Sequence, residues 1–270
     1  MKLYLLDLGY MEIDYNFIVA GSIGATRSNP HPTCEWIRIP MVSALIQLDD
    51  GRWVLYDTGC HYDGMNGYWH DSICERSPFH YTEEQRIENQ LAKIGLKPED
   101  IDILVMSHMH MDHTGNIHLF KHCTGYVNRK DMEYALSLVF QHEDPWAQNN
   151  YIRDEVTCQL KEWVYLPDED VELVPGVEFL YLPGHTAGVT GMRISLPNTG
   201  TVVMTSDACY TKENFGPPIR YNARTPDSVK YDASIERVRK MTKEPGFGLL
   251  IFGHDWGQYE TLKHIPEYYD

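Results

Sequence analysis

The sequence predicts an α/β sandwich, and two observations carry that prediction. Strand pairs alternate with strand–helix–strand units along the 270 residues, an order that layers helices on the faces of sheets. One strand–helix–strand pattern also occurs twice. In the first copy a strand ends at Asp57, a helix follows, and the next strand runs into Ser107-His108. In the second a strand ends at Asp207, a helix follows, and the next strand runs into Gly253-His254. The 51 residues from Asp57 to His108 and the 47 from Asp207 to His254 are close in length. We read two related halves of one domain, residues 1–270, with polar residues gathered at the strand ends.

The elements follow in order. Lys2–Leu8 reads as a strand. Val42–Leu48 alternates and meets Asp49-Asp50-Gly51, a hairpin turn signal, with Trp53–Tyr56 as the return strand. Thr82-Glu83-Glu84-Gln85 is a capping box. Behind it Ile87, Leu91 and Ile94 fall at helical spacing and Gly95 ends the helix. Ile101–Met106 is a continuous apolar run suited to a buried strand. Asp131–Phe140 reads as a helix, and Val177–Leu182 and Thr201–Thr205 as strands. Asp227 can cap a helix whose core contacts would be Val229, Ile235, Val238 and Met241. Gly248–Phe252 is the last buried strand.

Composition excludes several classes of function. Lys and Arg number 23 against 39 Asp and Glu, a net charge of −16. Nucleic acid needs a basic footprint that this chain lacks, and an anionic membrane surface is equally unsuited. No run of about 18 apolar residues is present to span a bilayer. Asp7 and Glu12 interrupt the N-terminal apolar run, so no signal peptide is expected and the expected compartment is the cytoplasm. The six cysteines, scattered without a C-x-x-C, read as buried thiols.

The chemistry is concentrated in Ser107-His108-Met109-His110-Met111-Asp112-His113, directly after an apolar strand. His108 and His110 are two apart and share one side of extended backbone. Asp112 and His113 are adjacent and can face a different point on a turn. That arrangement suits two metal ions better than one. Imidazole and carboxylate donors favour zinc, iron, manganese or cobalt. Three remote candidates join them: His185 in Pro183-Gly184-His185-Thr186, Asp207 in Thr205-Ser206-Asp207-Ala208, and His254 in Gly253-His254-Asp255. Each follows a strand and is flanked by small residues that permit close backbone approach.

His-x-His-x-Asp-His, then Pro-Gly-His-Thr, an Asp after a strand and a late Gly-His together resemble the metallo-β-lactamase superfamily. The resemblance implies an αββα sandwich with the site at the strand ends. It implies one metal on His108, His110 and His185, a second on Asp112, His113 and His254, and Asp207 bridging them. Asp57 would orient a ligand from behind. The segment Asp207-Ala208-Cys209-Tyr210-Thr211-Lys212-Glu213-Asn214-Phe215 resembles the N-acyl-homoserine lactonases of that superfamily. So do Thr82–Ile87 and Val174–Val177. That likeness implies two divalent ions, zinc first, and a small lactone as the partner. It implies ring opening by a metal-activated hydroxide, with Asp112, Asp207 and Tyr210 as the catalytic residues and Tyr210 directed at the substrate. A monomer or homodimer is expected.

Gly115-Asn116 departs from the more usual Gly-Gly. The segments Asn16–Pro40 and His142–Tyr165 are also distinctive, and substrate contacts are expected from them. Trp36, Met65, Tyr68, Trp69, Phe79 and Trp146 are candidate pocket walls. A pyridine-ring lactone, an ester or a thioester is the alternative substrate, and a non-catalytic binding protein the remaining one. Cys209 is expected to pack rather than react. An exported β-lactamase is not expected without a signal peptide, a glutathione thioesterase or a nuclease is not expected of so acidic a chain, and a flavin-linked di-iron oxidoreductase is not expected with His110 where that group usually has glutamate.

Overall fold

A computed structural model describes residues 1–143 and 150–270; Trp146 lies outside the described residues. The described residues form twelve strands: β1 (Lys2–Asp14), β2 (Trp36–Gln47), β3 (Trp53–Tyr56), β4 (Phe79–His80), β5 (Ile103–Val105), β6 (Thr124–Asn128), β7 (Glu162–Leu166), β8 (Val171–Val174), β9 (Val177–Tyr181), β10 (Thr190–Leu196), β11 (Gly200–Met204) and β12 (Phe247–Ile251). Seven form one sheet in the order β4-β1-β2-β3-β5-β6-β7, and five form the other in the order β12-β11-β10-β9-β8.

The apolar residues sort into layers that explain the sandwich. In β1, Leu3 and Leu5 face a core shared with Val177, Phe179, Met192 and Met204 of the second sheet. Tyr4, Leu6 and Leu8 point the other way, into a core with Leu91, Ala135 and Val139 from the helices Ile87–Ala92 and Arg129–Gln141. A strand buried on both faces needs an unbroken apolar run, and Leu-Tyr-Leu-Leu supplies it. On the far face of the second sheet, Leu180 and Val203 pack against Val238 and Met241 of the helix Ser228–Met241. The layers are therefore helix, sheet, sheet, helix, as the resemblance implies.

Local chemistry sets the details. Gly51 has φ +92° and Arg52 N–H donates to Asp50 Oδ1 at 3.1 Å, closing the turn between β2 and β3. The Thr82 capping box forms, but it opens a 3-10 turn, Glu83–Gln85, before the helix begins at Ile87. In β1 the register shifts between Asp7 and Tyr10. Gly9 sits there at φ +93°, where a Cβ would lie 2.4 Å from the His80 carbonyl oxygen. Asp227 caps its helix through Lys230 N–H. One expectation fails there: Val229 is 78% exposed, and Tyr231 takes the inward position a half-turn later. Helical spacing gives a face but not where along the helix that face is covered, so it misassigns this position.

The repeated pattern has a structural counterpart. β3 and β5 are parallel neighbours, as are β11 and β12. Parallel pairs need crossovers that return the chain to the same end of the sheet, so Asp57, Ser107, Asp207 and His254 emerge at corresponding strand ends. Tyr56 ties the sheets together there, donating its hydroxyl to the Thr190 carbonyl at 2.6 Å. No helix among the described residues is long and apolar enough to cross a membrane.

Phe179 is buried between the sheets. Phe179→Ala is expected to lower stability by about 3–5 kcal/mol through lost transfer energy and an unfilled cavity. Denaturant unfolding checks this as a fall in midpoint with an unchanged slope.

Candidate metal centre

The strand ends deliver seven side chains to one place, and they sort into two groups around a shared carboxylate. His108, His110, His185 and Asp207 form one group; Asp112, His113, His254 and Asp207 form the other. In each group the ligand atoms all lie within 4.8 Å of one another. Asp207 uses its two oxygens differently. Oδ2 lies 3.1 Å from His185 Nε2 and 3.5 Å from His108 Nε2. Oδ1 lies 3.0 Å from His254 Nε2 and 3.3 Å from His113 Nε2. Asp112 Oδ2 is 3.7 Å from both His113 and His254 Nε2.

The backbone explains how a short stretch serves two groups. β5 ends before Ser107, and His108 and His110 follow on extended chain, with His108 Nε2 and His110 Nδ1 3.0 Å apart. The helical turn Met111–Thr114 then swings Asp112 and His113 to the other side. His185 sits in a loop where Gly184 has φ +142° and a Cβ would come within 2.5 Å of Tyr231 Cα. Only glycine allows the loop to approach the helix Ser228–Met241 this closely.

A second layer fixes the rings. His113 Nδ1 lies 2.8 Å from Asp57 Oδ2, and the Ser107 backbone N–H donates to Asp57 Oδ1 at 2.7 Å. The Ser107 hydroxyl donates to Asp57 Oδ2 at 2.7 Å. His254 Nδ1 donates to the Pro40 carbonyl at 3.1 Å. With their outer nitrogens occupied, these rings present Nε2 inward, the arrangement by which protein metal sites set tautomer and orientation. Asp57 has φ +61°, a left-handed conformation that Asp and Asn tolerate better than most residues.

Electrostatics follow from the packing. Burial and the neighbouring imidazoles hold His108 and His110 well below the usual histidine range, so both keep the lone pair a metal requires. Burial opposes charge on His113 and His254 too, but Asp207 and Asp112 outweigh it and raise both. Burial disfavours the Asp207 carboxylate, yet four surrounding histidines hold it well below the carboxylate range. Two inward atoms, His113 Nε2 and Asp207 Oδ1, are buried and, although 3.3 Å apart, make no well-directed hydrogen bond among the described residues. Orphaned polar atoms of that kind cost about 1–3 kcal/mol each, and a cation between them supplies the missing interaction. Five imidazoles and two carboxylates are donors of the right kind for zinc, iron, manganese or cobalt. The residues therefore fit a pair of divalent cations.

Several supporting groups were not evident from the sequence. Asp131, fully buried, accepts the Met109 N–H at 2.8 Å and pins the loop between His108 and His110. Thr114 Oγ lies 3.0 Å from the His110 carbonyl and 2.5 Å from Glu155 Oε2. One hydroxyl hydrogen cannot serve both. Burial pushes the Glu155 carboxyl up to about 8, so at neutral pH it is mostly protonated and can donate to Thr114, which donates onward to His110. Asn116 Nδ2 donates to the Thr58 and Cys60 carbonyls, both at 2.8 Å, which accounts for asparagine after Gly115.

Tyr210 is buried with its hydroxyl 3.4 Å from His185 Nδ1. It borders a narrow cleft over the ligands together with Asp112, Phe17, Ile39 and Asn150. Beside the cleft, a cavity of about 440 Å³ reaches His110 and His185 between Tyr134, Tyr151 and Arg224. Both distinctive segments thus contribute: Phe17 and Ile39 from Asn16–Pro40, and Asn150 and Tyr151 from His142–Tyr165. Of the residues proposed as walls, the five that are described line neither space. Trp69 and Phe79 are core, Trp36 and Met65 are surface, and Tyr68 stacks on His61 at 3.7 Å. Aromatic content in a loop cannot distinguish a pocket wall from a loop's own core. Cys209 is buried, its thiol 3.5 Å from the Thr211 carbonyl and pushed up by burial, as expected of a packing residue.

Fold and site together define a metal-dependent hydrolase scaffold, and comparison with known proteins agrees. Residues 40–254 match the model of the metallo-beta-lactamase superfamily, and the chain belongs to that family. It is 32% identical over 280 residues to the N-acyl homoserine lactonase AiiB of Agrobacterium fabrum (strain C58), covering 97% of this chain and 96% of that protein. It is 29% identical over 271 residues to the N-acyl homoserine lactonase AiiA of Bacillus thuringiensis subsp. kurstaki, covering 99% and 98%. A solved N-acyl homoserine lactone hydrolase, with the product N-hexanoyl-L-homoserine at its catalytic metal centre, superposes with a TM-score of 0.82 at 28% identity, covering 99% and 98%.

Two predictions follow from the supporting layer. Asp57→Asn keeps the left-handed backbone but removes the charge behind His113; metal affinity is expected to fall by about 10–100-fold, read by chelator competition. Glu155 gives a pH signature. Its carboxyl is raised from 4.5 to about 8 on folding, so between these values the folded state binds more protons than the unfolded one. Its contribution is full below about pH 4.5, is lost as pH rises towards 8, and is flat beyond. Unfolding free energies of Glu155→Gln should therefore lack this decline, so that the difference from the wild type changes between pH 5 and 8.

Proposed function

We propose that this protein is a lactonase that opens the ring of N-acyl homoserine lactones, using two divalent metal ions, zinc first, with iron, manganese or cobalt as alternatives. The observation that carries the reading is the single carboxylate of Asp207 facing two ligand groups, His108, His110 and His185 on one side and Asp112, His113 and His254 on the other. Near-full-length similarity to two N-acyl homoserine lactonases supports it. We further propose one domain spanning residues 1–270, a cytoplasmic location, and a monomer or homodimer.

When bound, a pair of such cations polarises an ester carbonyl and lowers the pKa of a coordinated water. The chain's own residues do the rest. Burial keeps the Tyr210 phenol well above its usual pKa, so it stays protonated and can donate to the substrate carbonyl as negative charge develops there. Asp112, the more exposed of the two ligand carboxylates, borders the cleft and can carry the proton from the attacking water to the departing ring oxygen. Water adds to the carbonyl carbon, the ring C–O bond breaks, and the products are a carboxylic acid and a hydroxyl on one molecule. The acid ionises at neutral pH, so turnover releases one proton.

Three measurements test this. Elemental analysis of protein purified without chelator should find about two transition-metal ions per chain; a value well below one that added zinc, manganese or cobalt does not restore removes the dinuclear reading. Asp207→Asn should lose metal and hydrolysis together while remaining folded. Tyr210→Phe should keep both metals and lower kcat on the lactone by tens- to hundreds-fold, on the order of the roughly 3 kcal/mol that one such donor supplies. A smaller loss is expected on an activated ester, whose leaving group needs little help. A pH-indicator screen across lactones, esters and thioesters reads the wild type and both variants.

A further inference from the structure

The cavity beside the ligands contains two cations, and they differ in kind. Lys230, at the rim, is paired with Asp227 at 3.2 Å. Arg224 has no ion pair, and its guanidinium makes no hydrogen bond among the described residues; its ring contact is with Phe17, 5.6 Å from the centroid. The side chain is only partly exposed and borders both the 440 Å³ cavity and the narrow cleft that Asp112 and Tyr210 share.

The turn that carries it is firmly held. Asn222 is buried, and its Oδ1 accepts the Arg224 N–H at 2.8 Å and the Thr225 hydroxyl at 3.1 Å. The Ala223 N–H donates to the Phe17 carbonyl at 2.9 Å, and Ala20 N–H to the Tyr221 carbonyl at 2.8 Å. A fixed backbone thus presents five unused donors in a planar fork at the junction of the reaction cleft and the larger cavity. Of the other side chains lining the cavity, Tyr134, Tyr151, Thr186, Ala187 and Pro226 are uncharged and Asp227 is paired with Lys230; the carboxylates in the adjoining cleft, Asp112 and Asp207, belong to the ligand groups.

We propose that Arg224 is a specificity-determining residue that binds an oxygen acceptor on the acyl arm. The preferred substrates are then lactones whose acyl arm carries a carbonyl oxygen beyond its amide, ahead of those with a plain alkyl arm. This rests on the lactonase reading above. The physical basis is the asymmetry of polar recognition. A site built to hydrogen-bond a substrate group loses much more with an analogue that lacks the group than an apolar site loses over one methylene. An alkyl arm would enclose the guanidinium with nothing to accept its hydrogens.

The test compares kcat/KM for N-(3-oxohexanoyl)- and N-hexanoyl-homoserine lactone, in wild type, Arg224→Leu and Arg224→Lys, each with metal content measured. Wild type should prefer the oxo substrate by about ten-fold or more, the range of a hydrogen bond to a charged group. Arg224→Leu should bring the ratio near one by losing activity on the oxo substrate, and Arg224→Lys should retain part of it. A wild-type ratio within two-fold of one overturns the proposal while leaving the lactonase reading intact, and needs no variant to fold. Equal losses on both substrates in Arg224→Leu also overturn it, since the arginine would then serve a group common to both. Hydrolysis of neither substrate by metal-replete wild type overturns the lactonase reading, and this proposal with it.

Discussion

The carboxylate of Asp207 is the constraint around which the open end of the sandwich is arranged. It is buried in the protein interior and surrounded by four imidazoles within 3.5 Å. Burying that many polar groups is unfavourable unless each finds a partner. The fold meets this requirement by bringing strand ends from both sheets to one point. β11 delivers Asp207, β5 leads into His108 and His110, β12 into His254, and the loop between β9 and β10 supplies His185. Shifting either sheet by one register position would turn alternate side chains away from this point. The apolar core between the sheets, with Phe179, Met192 and Leu5, therefore holds the centre's geometry as well as the fold's stability.

The next layer is built for rigidity. Asp57 collects Ser107 and His113, Asp131 holds Met109, and Glu155 reaches His110 through Thr114. Asn116 closes the loop after Asp57 by binding the Thr58 and Cys60 carbonyls. Each link joins two segments distant in sequence, so that no ligand relies on the stiffness of its own loop. Networks of buried polar groups are costly when incomplete and confer a unique geometry when complete. Among the ligand atoms, His113 Nε2 and Asp207 Oδ1 are buried without a hydrogen-bond partner among the described residues and both face the centre, where a cation would supply one.

This division explains what could be read from the chain. The ligand residues are legible because metal chemistry restricts them to a few residue types and because a strand end imposes fixed spacing, as in His108-x-His110. The layers were legible because strand segments buried on both faces must be continuously apolar, as Leu3–Leu6 of β1 and the whole of β5 are. The supporting residues were not. Asp131, Glu155 and Asn116 carry no local pattern, since each acts across 22 to 58 residues. Val229 shows the same limit on a smaller scale: helical periodicity gives a face, and tertiary packing decides where along the helix that face is covered.

The walls of the substrate space were the least legible part. Trp69 and Phe79, read as loop aromatics, instead pack in the core, with ring centroids 6.2 Å apart and Phe79 in β4. The residues that do line the spaces are contributed by position: Tyr134 from a helix face, Tyr151 from the end of a loop, Phe17 from a short turn after β1, and Arg224 from a turn pinned by Asn222. The ligand constellation is set by coordination chemistry and tolerates little change, whereas these walls come from four separate segments outside both sheets. Chemistry and selectivity are thus carried by different parts of the chain. A family whose strand ends fix the reaction can change its substrate by altering residues such as Arg224, which belongs to neither ligand group and, among the described residues, takes no part in the hydrogen bonds that hold the centre together.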